Sequence, residues 1–216
     1  MSKIFDLSQR VESGMSFFPG DPEPVVEPSP QISPPWQITN LKIGSHTGTH
    51  IDAANHFIPG GRSIDQYGPE RFILPGVLIR LPGLNNDQII DLKMLEDHIP
   101  QIPKGGAAII QTAWNRFWKT PQYEEHPYLS ESATRALVAA GSSLVGIDAL
   151  NVDSTVQGTN HVHQLLLSED ILIVENLTGL SQLQPGKLYQ FSFLPLLISG
   201  SDGAPVRAVA WENNPF

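Results

Sequence analysis

Two groups of metal-ligating side chains stand more than a hundred residues apart, and any fold of this chain must account for both. The first is His46-Thr-Gly-Thr-His50-Ile-Asp52-Ala-Ala-Asn-His56, which packs three of the chain's seven histidines and an aspartate into eleven residues. The second is His161 and His163, followed by Glu175 at the end of the apolar run Ile171-Leu-Ile-Val. Imidazole and carboxylate together form a ligand set for zinc, manganese or iron. A lone histidine is usually a surface group or a hydrogen-bonded core group. A segment that buried His46, His50 and Asp52 together without a cation would strip water from groups that are costly to desolvate. The pattern predicts a metal at this segment.

Local geometry narrows the first group. On a helix His46 and His50 would share a face, but Thr47, Thr49 and Ile51 are β-branched and Gly48 breaks helices. An extended chain suits these residues, with 46, 48, 50 and 52 on one side. A straight strand would set the His46 and His50 Cα atoms about 13 Å apart, so a bulge or bend is expected at Gly48. His56, past Ala-Ala-Asn, is expected on a turn facing the same cavity.

The second group reads as a helix start, with Thr159 or Asn160 as N-cap. Residues two apart on a helix point in nearly opposite directions, so only one of His161 and His163 can face a given ion. The run 171–175 reads as a short buried strand ending in a carboxylate. Glu175 there needs a cation or a donor, unless it simply reaches solvent at the strand end.

The segment His46-Thr-Gly-Thr-His50-Ile-Asp52 with His56 resembles the H-x-G-T-H-x-D-x-P-x-H signature of the cyclase-like metal hydrolases, which include the bacterial kynurenine formamidases. The resemblance spans nearly the whole chain. It starts at Phe5-Asp6-Leu7-Ser8 and the Phe17-Phe18-Pro19-Gly20-Asp21 turn, and runs through Val145-Gly146-Ile147-Asp148. His163-Gln-Leu-Leu and Ile173-Val174-Glu175-Asn176-Leu177 continue it.

The resemblance implies a swivelling β/β/α domain with a curved, barrel-like mixed sheet. It implies a first metal on His46, His50 and Asp52, and a second on Asp52, His163 and Glu175, with Asp52 and Glu175 able to bridge. Two divalent ions per chain, zinc or in some relatives manganese, are the implied cofactors, and His56 matches the acid/base histidine. The implied activity is hydrolysis by a metal-activated water of an amide, either an arylformamide such as N-formylkynurenine or a cyclic amide or lactone. The related enzymes are commonly homodimers or homotetramers.

Two positions depart from the pattern. Ala54 replaces the signature proline, which predicts a looser turn under His56. Phe18 stands where the kynurenine formamidases carry a pocket tryptophan, so their substrate does not transfer directly. Phe18 and Phe57 are the expected substrate contacts among the aromatic residues Phe17, Phe18, Trp36, Phe57, Trp114 and Trp118.

Composition sets the bounds. A chain of 216 residues with 40% hydrophobic content reads as one globular domain over 1–216. A net charge of −9 with no basic run argues against nucleic acid, and no apolar stretch reaches membrane-spanning length. The opening Met1-Ser-Lys-Ile-Phe-Asp lacks the apolar region of a secretory signal, which makes the cytoplasm the expected location. Cysteine is absent, and no Gly-x-Ser-x-Gly elbow occurs, so the nucleophile is neither thiol nor elbow serine.

An α/β fold with a curved mixed sheet is expected, with strands near 37–45, 76–81, 107–112, 143–148, 171–175, 188–193 and 206–211. Ser130 to Ala140, closed by Gly141, reads as the clearest helix. The proline-rich stretch Pro19–Pro35 reads as an irregular lid, a dimer arm or a plain surface loop. Asp148 reads as a turn cap or a catalytic acid.

Two competing functions fit parts of the pattern. His50-Ile-Asp52 with a distant histidine mimics the 2-His-1-carboxylate triad of an iron oxygenase, but leaves His46, His56 and Glu175 without a role. A non-catalytic family member would hold its metal in closed coordination.

Overall fold

The computed structural model describes residues 3–212. Its strands, in chain order, are β1 Ile4–Asp6, β2 Val25–Pro28, β3 Thr39–Lys42, β4 His50–Asp52, β5 Ile73–Arg80, β6 Ile89–Ile90 and β7 Ala107–Gln111. They continue as β8 Tyr128–Leu129, β9 Leu144–Ile147, β10 Leu172–Glu175, β11 Leu188–Ser192, β12 Gly203–Pro205 and β13 Val209–Glu212. The α-helices are α1 Leu92–Leu95, α2 Glu131–Ala139 and α3 His161–Ser168.

Nine strands form one curled mixed sheet in the order β1-β13-β11-β5-β7-β9-β10-β4-β12. At its centre β5, β7, β9 and β10 run parallel, and antiparallel strands extend it at both ends. The parallel strands are apolar along their length because both of their faces are covered. Leu78, Ile109, Leu172 and Val174 join Phe5, Tyr189 and Phe191 in the core on one side. Their alternating neighbours Val77, Ile79, Ala108, Ile110 and Ile173 pack on the other side against Leu137 of α2 and Leu166 of α3. This is the mixed α/β architecture expected from the pattern.

The element boundaries follow local chemistry. Ser130 caps α2 by accepting from Ala133 N–H at 3.1 Å, and Gly141 follows with φ of +77°. Before α3 the residue at the cap position is Asn160, but its side chain makes no cap bond. The free N–H groups of Val162 and His163 donate instead to the two carboxylate oxygens of Asp153, at 3.0 and 2.9 Å. The stretch expected as an irregular lid, arm or loop contains β2, which pairs with β3 as an antiparallel hairpin. The strand expected over 37–45 is shorter, at Thr39–Lys42.

Close approach fixes one glycine in the sheet. Gly76 in β5 faces Ala107 in β7, and a Cβ added there would lie 2.6 Å from Ala107 O. Gly76→Ala should therefore destabilise the fold by about 2 kcal/mol, the scale of overpacking in a close-packed interior. Chemical denaturation measures this, and an unchanged midpoint would contradict the register.

Candidate functional site

The site is built on the β4–β10 ladder. His50 lies opposite Glu175, and Asp52 opposite Ile173. Period-two alternation turns His50, Asp52 and Glu175 to the helix-covered side, while Ile51 and Val174 enter the opposite core. The carboxylate of Glu175 thus sits at the C-terminal end of a parallel strand, the end at which open α/β sheets bind ligands.

The residues between the histidines explain how His46 reaches the same place. Thr47 Oγ1 accepts from Gly44 N–H at 2.9 Å, Gly48 turns the chain with φ of +66°, and Thr49 Oγ1 donates to Asn176 O at 2.7 Å. The bend expected at Gly48 is present, and the regular strand begins only at His50. The His46 and His50 rings meet edge to face with centroids 5.0 Å apart. The turn under His56 is a 3₁₀ helix, Ala54–His56, closed by His56 N–H to Ala53 O at 3.0 Å and Ile58 N–H to Ala54 O at 2.9 Å. Ala54 in place of proline leaves that turn formed.

From the other side, α3 presents its two histidines differently. His163 is buried and faces the cluster, with Nε2 at 3.6 Å from Asp52 Oδ2 and 3.5 Å from Glu175 Oε1. His161 is half-buried, outside the cluster, and its Nδ1 lies 3.4 Å from Asp153 Oδ1. His163 Nδ1 is held by Asp153 Oδ2 at 2.9 Å, and His50 Nδ1 by Gly48 O at 2.8 Å. With Nδ1 engaged in each case, both rings turn Nε2 toward the carboxylates, the arrangement that orients metal-binding histidines.

Asp52 is the centre of the cluster and has no solvent exposure. Its Oδ1 lies 2.8 Å from His46 Nδ1 and 3.3 Å from His50 Nε2, while Oδ2 has no hydrogen-bond partner among the described residues. Ligand atoms of His50, Asp52 and Glu175 gather within 4.8 Å of one another, as do those of His46, Asp52 and His56. Three buried or half-buried imidazoles, two buried carboxylates and an orphaned carboxylate oxygen fit one or two divalent cations. The second grouping brings His56 as near as any ligand, although the sequence pattern gives it a separate role.

Electrostatics agree with that fit. Burial opposes protonation of His46, His50 and His163, yet carboxylates outweigh it and raise them to about 9, 10 and 10. Asp52 acts on all three, with Asp202 on His46, Glu175 on His50 and Asp153 on His163. Burial pushes Asp52 up, but the His50 and His46 charges hold it well below the usual carboxylate range. The cluster attracts positive charge, as protons or as a cation.

Two residues here escape sequence reasoning. Asp202 Oδ2 accepts from both His46 Nε2, at 3.0 Å, and His56 Nδ1, at 3.1 Å. It precedes β12, where Gly203 pairs with Asp52, and a Cβ on Gly203 would lie 3.0 Å from His46 Cε1. In the sequence Gly200-Ser201-Asp202-Gly203 reads only as a turn. Asp153 acts from ten residues before His163, too far for a capping pattern to reveal it. Asp148 is the turn cap: it accepts from Thr112 N–H, Thr112 Oγ1 and Ala113 N–H at 2.6, 2.7 and 2.9 Å. Burial pushes it up to about 6 against those donors.

The cluster floors a cavity of about 220 Å³ whose walls include Phe18, Asp21, Phe57, Leu150, Asn151 and Thr159. Phe57 stacks on His163 at 4.7 Å between centroids. Phe18 and Phe57 thus both reach the cavity that the site residues share.

Two expected outcomes follow. Asp153→Asn should weaken divalent-metal affinity by about ten- to a hundredfold, because it frees the His163 ring; calorimetric titration would show it, and unchanged affinity would remove His163 from the site. In metal-free protein, His50 and His163 sit at about 10 against an ordinary 6.5, so their stabilisation is full below pH 6.5 and is lost as pH rises toward 10. A cation replaces those protons, so the melting-temperature gap between metal-loaded and chelated protein should widen over that range. A constant gap would contradict it.

The Cyclase family model matches residues 5–154. A kynurenine formamidase from Salinibacter ruber is 30% identical over 213 residues, covering 95% of this chain and 96% of its own. Isatin hydrolase A from Ralstonia solanacearum superposes with a TM-score of 0.84 at 23% identity, over 98% of this chain and 92% of its own. A structure described as a predicted metal-dependent hydrolase from Bacillus stearothermophilus gives a TM-score of 0.82 at 25% identity, over 99% and 100%.

Proposed function

The chain belongs to the cyclase family, and from that membership we propose that it is a metal-dependent hydrolase cleaving the carbon–nitrogen bond of an amide. The observation that carries this reading is the set of imidazoles and carboxylates gathered around buried Asp52 at the floor of an aromatic-walled cavity. The kynurenine formamidase relative supports an arylformamide such as N-formylkynurenine. A cyclic amide or lactone is the alternative, and the isatin hydrolase neighbour supports the shared fold alone.

In this reading His46, His50 and Asp52 hold one divalent ion, zinc or manganese, and Asp52, His163 and Glu175 hold a second. When bound, such ions act as Lewis acids that lower the pKa of water and polarise a carbonyl. The chain's own groups supply the remainder. Phe18 and Phe57 bind the aromatic ring and exclude water from the cavity. His56 engages Asp202 through Nδ1, which leaves Nε2 to take a proton from the nucleophile and return it to the departing nitrogen. Water and the arylformamide become an arylamine and formate.

The reading extends to a cytoplasmic homodimer or homotetramer. None of the helices is long and apolar enough to cross a membrane among the described residues. The exposed apolar side chains Trp36, Ile38, Leu41, Leu196 and Leu197 are the surface such an assembly would cover.

His56→Ala tests the proton role. It should retain bound metal and lose turnover by about a hundredfold or more, the scale of general acid–base catalysis. An anilide should lose more than an activated phenyl ester, since only the poor leaving group needs a proton to depart. Equal losses, or loss of metal, would assign His56 to ligation.

A further inference from the structure

One charged group on the cavity wall has no part in that chemistry. Phe18 and Asp21 hang side by side from a single turn, in which Asp21 N–H donates to Phe18 O at 3.0 Å and Gly20 takes φ of +102°. Both side chains line the cavity, Phe18 as an aromatic wall and Asp21 as a half-buried carboxylate. Among the described residues, no Lys or Arg lines the cavity. Lys119 reaches the same N-terminal segment, donating its backbone N–H to Ser16 Oγ, but its ammonium is taken by Glu12 at 2.5 Å.

The other carboxylate on the lining, Glu175, belongs to the buried cluster, with Oε2 at 3.5 Å from His50 and Oε1 at 3.5 Å from His163. Asn151 and Thr159 supply only neutral dipoles on that wall. Outside the buried cluster the cavity therefore offers a ligand one carboxylate beside an aromatic surface, and no Lys or Arg to receive an anion. The net charge of −9 adds to that bias.

We propose that Asp21 is a specificity-determining residue that receives a positively charged arm on the substrate ring, so that N-acyl arylamines bearing an ammonium group are preferred over neutral or anionic ones. This rests on the reading of the protein as an amide hydrolase. Phe18 would hold the ring while Asp21 pairs with the ammonium, and the amide would project toward His56. A half-buried ion pair of this kind discriminates by about tenfold, because solvent screens part of its Coulomb energy.

The test uses the metal-loaded full chain and two readouts. In the first, formanilide, meta-(aminomethyl)formanilide and meta-formamidobenzoate are compared in kcat/KM near neutral pH. The ammonium compound should lead formanilide by about tenfold and the carboxylate should trail it. Asp21→Asn should erase the ammonium advantage, bringing the ratio of the ammonium compound to formanilide close to one. In the second, calorimetry compares binding of meta-(aminomethyl)aniline and meta-methylaniline to both proteins. The wild type should favour the ammonium ligand by a similar factor, and the variant should not. If no formanilide is cleaved, the hydrolase reading fails while the binding ratio still decides the role of Asp21. Equal binding of the two ligands by the wild type, or a preference that survives Asp21→Asn, would overturn the inference.

Discussion

A fully buried carboxylate with one oxygen lacking a hydrogen-bond partner is a costly thing to fold, and the structure is arranged around that of Asp52. It lies in a three-residue strand paired on both sides, to β10 and to β12, so its backbone is held by two ladders. The same ladders deliver Glu175 opposite His50 and carry Asp202 to the edge beside His46 and His56. On the helix side, Asp153 serves two purposes at once, capping α3 and fixing the ring of His163. Local hydrogen bonding and site geometry are thus the same set of contacts. A divalent cation would make this gathering of charge inexpensive, since it would neutralise the carboxylates and use the imidazole lone pairs.

Much of this was legible in the residues. The apolar runs at 107–112, 143–148 and 171–175 became β7, β9 and β10 because strands buried on both faces have no polar alternation to hide them. The His46–His56 cluster was legible because its types are rare, and an extended chain was legible because β-branched Thr47, Thr49 and Ile51 and the helix breaker Gly48 lie between its histidines. Choosing between His161 and His163 needed the phase of α3, which puts His163 in the cluster and leaves His161 half-buried beside Asp153. Asp202 and Asp153 were not legible. Each acts on a partner distant along the chain, Asp202 across more than a hundred residues, and each sits in a segment whose composition says only turn. β3 lies within the strand expected over 37–45, but its partner β2 was hidden by the prolines around it, which disfavour strands in general but are tolerated at an edge.

The geometry also bears on the competing readings. A mononuclear triad would use His50, Asp52 and one histidine from α3, and would leave His46 and His56 hydrogen-bonded to Asp202 without purpose. A purely structural centre would not need a cavity of about 220 Å³ opening onto it between Phe18 and Phe57. The arrangement has a floor of imidazoles and carboxylates, an apolar wall and a histidine with one nitrogen anchored on Asp202. Those are the parts a hydrolase requires.

The central claim is that the buried carboxylate of Asp52 exists to hold divalent metal. Elemental analysis of protein purified without chelator, for the wild type and for Asp52→Ala, tests it most directly. The wild type should carry one to two equivalents of zinc or manganese per chain, and the variant, still folded by circular dichroism, should carry close to none. A folded variant with the full wild-type metal content, or a wild type that takes up no divalent ion when supplied with it, would contradict the account.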